Sequence, residues 1–326
     1  MSGGYTCLSI GLYSHIADTT KPEQRTCRMS VLSGIFSLGF MAGIQMGSAI
    51  AGYWAVFILS LVFGCLGLLY TIFFLVESNT KVKSEESTTI FDKNHVKDCW
   101  NTTFRQRKEG RRFVILVLLL SFLALVLCMN TADFDFLMTR LKFGWESSDF
   151  SNYLTVQRFS RLVSLFILLP LLTRFCKISD TWIILAGMLV TTMAYLLLCL
   201  TPISWLVFIS ALIQMNSITM VSLRAQLSKQ VDSTEYGKIF AVVGISQSLV
   251  SLVSHAMFGG IYRLTLSYFP TMYLIIVIIC LAAAFFSILL LEKFKRLWIE
   301  EEDDIMKIGQ EDDRLNEEKL LEEQTS

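Results

Sequence analysis

The chain has 326 residues, 53% of them hydrophobic and only 17% charged, with 28 basic and 28 acidic side chains. Average soluble domains carry about 25% charge, so this composition points to lipid rather than to a water-facing surface. A formal net charge of zero supplies no bulk field for nucleic acid. The eight cysteines stand singly, without CxxC pairs or metal-ligand spacing, so no cofactor or metal site is expected; none falls in a segment that the topology below places outside the cell, so no disulfide is expected.

A bilayer core takes roughly 20 apolar residues of helix and tolerates no open sheet edge. The apolar runs therefore predict an all-α membrane protein with nine spans, near 3–17, 29–51, 53–76, 113–137, 152–173, 181–200, 203–227, 239–262 and 270–291. Tight turns at Gly52-Tyr53 and Thr201-Pro202 divide runs too long for one helix. With the C-terminal tail inside, cytoplasmic segments receive 22 basic residues, and the outside only Arg140, Lys142 and Arg263. That asymmetry is the positive-inside rule at work.

Three spans precede a long polar stretch and six follow it. The expected division is 1–76 as the remainder of an N-terminal transmembrane half, 77–112 as a central cytoplasmic linker, 113–292 as a C-terminal six-helix half, and 293–326 as a cytoplasmic acidic tail. An odd span count with an inside tail puts Met1 outside, yet no leader precedes the first span. The expectation is a chain lacking its first helices, which would complete two halves of six.

Charge inside a span costs on the order of 2.5–3.5 kcal/mol on insertion scales, so each case asks for a reason. Asp133 and Asp135 fall in the outer half of the fourth predicted span. Positions two apart diverge by about 200° on a helix, so the two carboxylates face different ways. Either could bind a proton or a cationic group, or the helix could end early and leave them solvated. Arg158 and Arg161 share one helix face, suited to an anionic solute or to pairing with those aspartates, unless they snorkel to headgroups. Arg224 belongs to the most polar face of any span, with Gln214, Asn216, Ser217, Thr219 and Ser222 nearby. His15 and His255 read as isolated histidines in apolar surroundings.

Gly39, Gly43 and Gly47 recur every four residues, which predicts a face for close helix packing or a sliding seam. Asn101-Thr102-Thr103 is a glycosylation sequon on the predicted cytoplasmic side, where it stays unmodified. Glu317-Glu318-Lys319-Leu320-Leu321 has the form of an acidic dileucine sorting signal.

Two segments resemble the proton-coupled folate transporter family. One is Ala17-Asp18-Thr19-Thr20 with Gln24-Arg25-Thr26-Cys27-Arg28-Met29. The other is Arg224-Ala225-Gln226-Leu227-Ser228-Lys229 with Thr234-Glu235-Tyr236-Gly237-Lys238-Ile239-Phe240-Ala241. The likeness runs from Gly3 to about Leu291. It implies a major facilitator type helical bundle holding the fourth to twelfth of twelve helices, at the plasma membrane or the lysosome. It also implies a substrate that is a small organic anion or conjugate, with protons as the driving partner. The family's tenth-helix arginine matches Arg224, and its aspartates in the fourth and seventh helices match Asp18 and Asp135. The folate carrier's proton-linked glutamate and histidine fall on Ser33 and at or near Asn130, so the same proton route is not expected here.

The reading is a secondary transporter of a small organic solute embedded in the lipid bilayer. Arg224 serves as a substrate or gating contact, and Asp18, Arg25 and Arg28 form a charge cluster at one span end. The alternative is a shortened, non-transporting protein that binds or forms a homo-oligomer. An intramembrane enzyme finds no support, because no nucleophile–base arrangement appears.

Overall fold

The structure, a computed structural model, describes residues 4–49, 53–74, 111–232 and 235–294. The sequon at Asn101, the dileucine segment and the predicted linker through residue 110 lie outside the described residues. Every regular element among the described residues is a helix. Helices α1 (Gly4–Thr19), α2 (Pro22–Ala49) and α3 (Tyr53–Phe74) precede the polar stretch. After it come α4 (Arg111–Met129), α5 (Ala132–Phe143) and α6 (Ser147–Val163). Then follow α7 (Asp180–Leu200), α8 (Ser204–Ile213), α9 (Asn216–Lys229), α10 (Tyr236–Thr265) and α11 (Met272–Phe294).

Among the described residues, seven helical stretches are long and apolar enough to cross a membrane. They coincide with seven of the nine predicted spans. The other two predicted positions hold α1 and α2. The chain is therefore a multi-pass membrane protein, and α3 shows what its solvent is. No residue of Trp54–Phe73 is buried, and Trp54, Phe57, Leu61 and Phe73 all face outward. So long an exposed apolar surface is untenable in water and ordinary against lipid.

Two predicted spans are interrupted. The run expected as one helix over 113–137 stops at Met129 and restarts at Ala132. Asn130 Nδ2 donates to Val126 O at 3.0 Å, and Thr131 Oγ1 to Cys128 O at 3.0 Å. These side chains satisfy carbonyls that the next turn would otherwise use, and so end the helix. The run expected over 203–227 breaks at Gln214, whose backbone is extended (φ −64°, ψ 112°). Ser160 Oγ donates to Leu212 O at 2.5 Å, which satisfies within the protein a carbonyl that the break frees.

Beyond Val163, α6 widens into five-residue π turns at Ser164–Leu168 and Leu171–Phe175. They flank Pro170, which has no N–H to give to a regular ladder. Gly144 ends α5 in the left-handed region (φ 68°), its N–H on Arg140 O at 3.0 Å; glycine is the residue that takes this conformation without a Cβ clash.

Helix α9 is the hub. It packs against α7, α2 and α4, while α1 packs on α10 and α10 on α4. Elements before and after the polar stretch thus share one core, with Tyr13, Met29, Phe122, Leu223 and Phe240 all buried in it.

Candidate functional site

A cavity of about 720 Å³ opens between α1, α2, α4, α6, α9 and α10. Its size lies within the range of roughly 300–1,000 Å³ typical of small-molecule sites. Arg158, Arg161 and Arg224 all line it. The two arginines of α6, predicted to share a face, both line the cavity, and α9 brings the third. The described lining includes no carboxylate.

Arg224 is buried, held in place by its neighbours. Its guanidinium lies 4.4 Å from the centre of the Tyr13 ring and 5.1 Å from that of Phe122, and Nη2 donates to Gln247 Oε1 at 3.3 Å. Ring faces take up the guanidinium plane and leave its N–H edge for a ligand. Arg158 lies over Phe40 at 4.8 Å. Aromatic faces and guanidinium edges together suit an anion with an apolar body.

Ser33 and Asn130, where the folate-carrier resemblance loses its ionisable groups, also line the cavity. Tyr13 and Ser33 share a hydrogen bond of 2.5 Å between their hydroxyls. Asn130 Nδ2 reaches Ser251 Oγ at 3.2 Å.

The two aspartates part company, as their spacing predicts. Asp135 is buried, and it accepts from Tyr273 OH at 2.8 Å and from Thr131 Oγ1 at 3.1 Å. Asp133 is exposed, 3.6 Å from His255 Nε2. The expected pairing of these aspartates with Arg158 or Arg161 is replaced by these partners, because the break at Asn130–Thr131 redirects α5 toward α10 and α11.

The charge cluster at the end of α1 is partly assembled. Arg25 is buried, with Nε on Thr20 O at 3.1 Å and Nη1 on Ser228 O at 3.0 Å. Its Nη2 donates to Tyr236 OH, whose ring centre lies 4.6 Å from the guanidinium carbon. Arg28 is exposed and reaches Thr20 Oγ1 at 3.5 Å; Asp18 is also exposed. The centre of this polar region is Asp180, which sequence reasoning missed. It accepts from Thr26 Oγ1 at 2.8 Å and from Lys229 Nζ at 2.5 Å. Its signal was an acid at the predicted start of one span facing a base at the end of another.

Membrane-spanning helices thus surround a basic, ring-lined cavity. The chain belongs to the Major Facilitator Superfamily, whose family model matches residues 1–254. It is 26% identical over 283 residues to the probable peptidoglycan muropeptide transporter of Drosophila melanogaster, a match covering 82% of this chain and 54% of that protein. It is 25% identical to the proton-coupled folate transporter of Rattus norvegicus, over 82% of this chain and 58% of that one. The lysosomal proton-coupled steroid conjugate and bile acid symporter of the same species is 27% identical, over 82% and 59%. The chain thus spans little more than half the length of these relatives.

Proposed function

We propose that this chain carries out secondary transport of a small organic anion, driven by protons, through the cavity between α1, α2, α4, α6, α9 and α10. The observation that carries this reading is the convergence of Arg158, Arg161 and Arg224 on one cavity whose described lining has no carboxylate. The named substrates of its relatives, folate, steroid conjugates, bile acids and muropeptides, supply the candidate chemistry. No bond is made or broken in this reading, so it assigns no catalytic residue. Arg224 is the principal substrate contact, and Arg158 and Arg161 attract the anion.

Uptake of radiolabelled taurocholate and folate into proteoliposomes containing the full chain tests the proposal. We expect Arg224→Ala to reduce uptake of the preferred anion by about 10-fold or more, the loss of one charged hydrogen-bonding group. Arg224→Lys should recover only part, since lysine keeps the charge but not the planar fork. Equal uptake by the parent chain and Arg224→Ala would sink the assignment of Arg224.

A second reading is favoured by the outward faces of α2 and α3. A Cβ on Gly39 or Gly43 would meet no described atom within 4 Å, and no residue of Trp54–Phe73 is buried. A non-transporting protein that binds an anion or dimerises through such faces would retain taurocholate binding and show no uptake.

A further inference from the structure

We infer that His255 is the proton-binding group of the cavity, with Asp133 as the carboxylate that holds the proton there. The inference rests on the anion-transport reading above and names the residue that couples proton to solute. His255 lines the same cavity as the three arginines. Its Nδ1 lies 2.6 Å from Ser251 O. A carbonyl oxygen only accepts, so Nδ1 carries the hydrogen, and the free lone pair of the neutral ring is on Nε2. That is the nitrogen that faces Asp133 Oδ2 at 3.6 Å. A proton arriving from solvent adds to Nε2, and the imidazolium then has Nδ1–H on the Ser251 carbonyl and Nε2–H beside the Asp133 carboxylate.

The surroundings make this proton sensitive to cargo. Among the described residues, the charged and titratable groups around the cavity are Tyr13 on α1, Arg158 and Arg161 on α6, and Arg224 on α9, together with Asp133 on α5. Asp135 on α5 and Tyr273 on α11 are bonded to each other. A protonated His255 and an anion held by the arginines carry opposite charges within one cavity, so each favours the other. By linkage, the proton must then tighten the anion by the same factor. Imidazole is the side chain suited to this exchange, because its charge changes between about pH 5 and 8.

The pair also touches a structural joint. Asn130, at the break between α4 and α5, donates to Ser251 Oγ, and Ser251 supplies the carbonyl that orients His255. Asp133 follows the break within the first turn of α5. Protonation of His255 therefore strengthens the contact between α10 and the start of α5, at the edge of the solute cavity.

The test uses the full chain in proteoliposomes and two readouts, taurocholate binding and taurocholate uptake, each at pH ~5.5 and ~7.5, either side of the imidazole range. The parent chain should bind taurocholate at least about 5-fold more tightly at the lower pH, the low end of ordinary ligand–ligand coupling. His255→Gln should bring that ratio close to one while the protein still binds at the higher pH. Asp133→Asn should reduce the ratio without abolishing it. Histidine-selective nitrogen NMR supplies a readout that needs no solute. With only three histidines in the chain, the signal lost in His255→Gln identifies the residue, which should show the Nδ1–H tautomer at the higher pH and gain a second proton at the lower. Uptake whose pH dependence survives His255→Gln overturns the proton site and leaves the transport reading intact. Absence of both binding and uptake counts against the transport reading, and the NMR signal then decides the proton site by itself. A His255 resonance that stays neutral at both pH values overturns it.

Discussion

At the scale of single residues, the most demanding arrangement is the carboxyl of Asp135. It is buried with two hydroxyl donors, Tyr273 OH and Thr131 Oγ1, and no salt bridge to it occurs among the described residues. Thr131 has one hydrogen to share between Asp135 and the Cys128 carbonyl, so Tyr273 is the constant partner. Tyr273 is itself packed against the rings of Phe134, Phe258 and Tyr262, which fixes where its hydroxyl points. Tyr273→Phe keeps that packing and removes only the donor. Leaving a buried acceptor short of a partner costs about 1–3 kcal/mol. We expect a lower thermal unfolding midpoint in detergent for Tyr273→Phe, and recovery when Asp135→Asn is added to it. A single variant as stable as the parent would show that Tyr273 contributes packing alone.

At the scale of helices, the close approaches fall elsewhere than the glycine pattern suggested. Gly39 and Gly43 face open space, whereas a Cβ on Gly187 of α7 would lie 2.1 Å from Thr219 Oγ1 and 3.3 Å from its Cβ. Thr219 sits fully buried on α9, so it has little room to yield, and overpacking of this kind costs about 1–3 kcal/mol. Gly187→Ala should therefore destabilise the protein, and Gly187→Ala with Thr219→Ala should regain most of the loss, as differential thermal melts in detergent would show. If the double variant melts no higher than Gly187→Ala alone, the seam is not where the strain lies.

The contrast shows what periodicity can and cannot supply. A four-residue repeat tells which residues share a face of α2; it does not tell what stands opposite. The same limit applies at the helix breaks. Hydropathy carried the predicted span through Asn130 and Thr131 because their neighbours are apolar, although it is their own side-chain bonds to Val126 and Cys128 that stop α4. The divergence of Asp133 from Asp135 followed from helical geometry. The pairing of Asp133 with His255 depends on how α5 leans toward α10, and no local pattern in the chain records that. The convergence of Arg158, Arg161 and Arg224 was half legible: two by spacing, the third only by tertiary packing.

At the scale of the whole molecule, the cavity is useful for transport only if one end can open while the other stays shut. The polar clasp around Asp180 holds one end. Thr26 reaches it from α2, before the polar stretch, and Lys229 from α9, after it. Arg25 ties α2 further to Ser228 and Tyr236. Asp180 is buried and Lys229 about three-quarters so, so the pair is shielded more than a surface ion pair. Asp180→Asn leaves one acceptor oxygen where two donors arrive, and it strands the lysine charge. The conformation open at this end, which no longer needs the clasp, gains in population. Cys27, half-buried on α2 beside Thr26, reports the change. In a background retaining only this cysteine, maleimide labelling of Asp180→Asn should run about 5-fold faster than that of the parent, the equivalent of ~1 kcal/mol of shifted equilibrium. Asp180→Asn with Lys229→Gln, which removes the stranded charge, should label at an intermediate rate. Identical rates in all three would mean that the clasp stabilises the fold without gating it, and that the barrier to opening this end lies in the packing of α9 against α2 and α7.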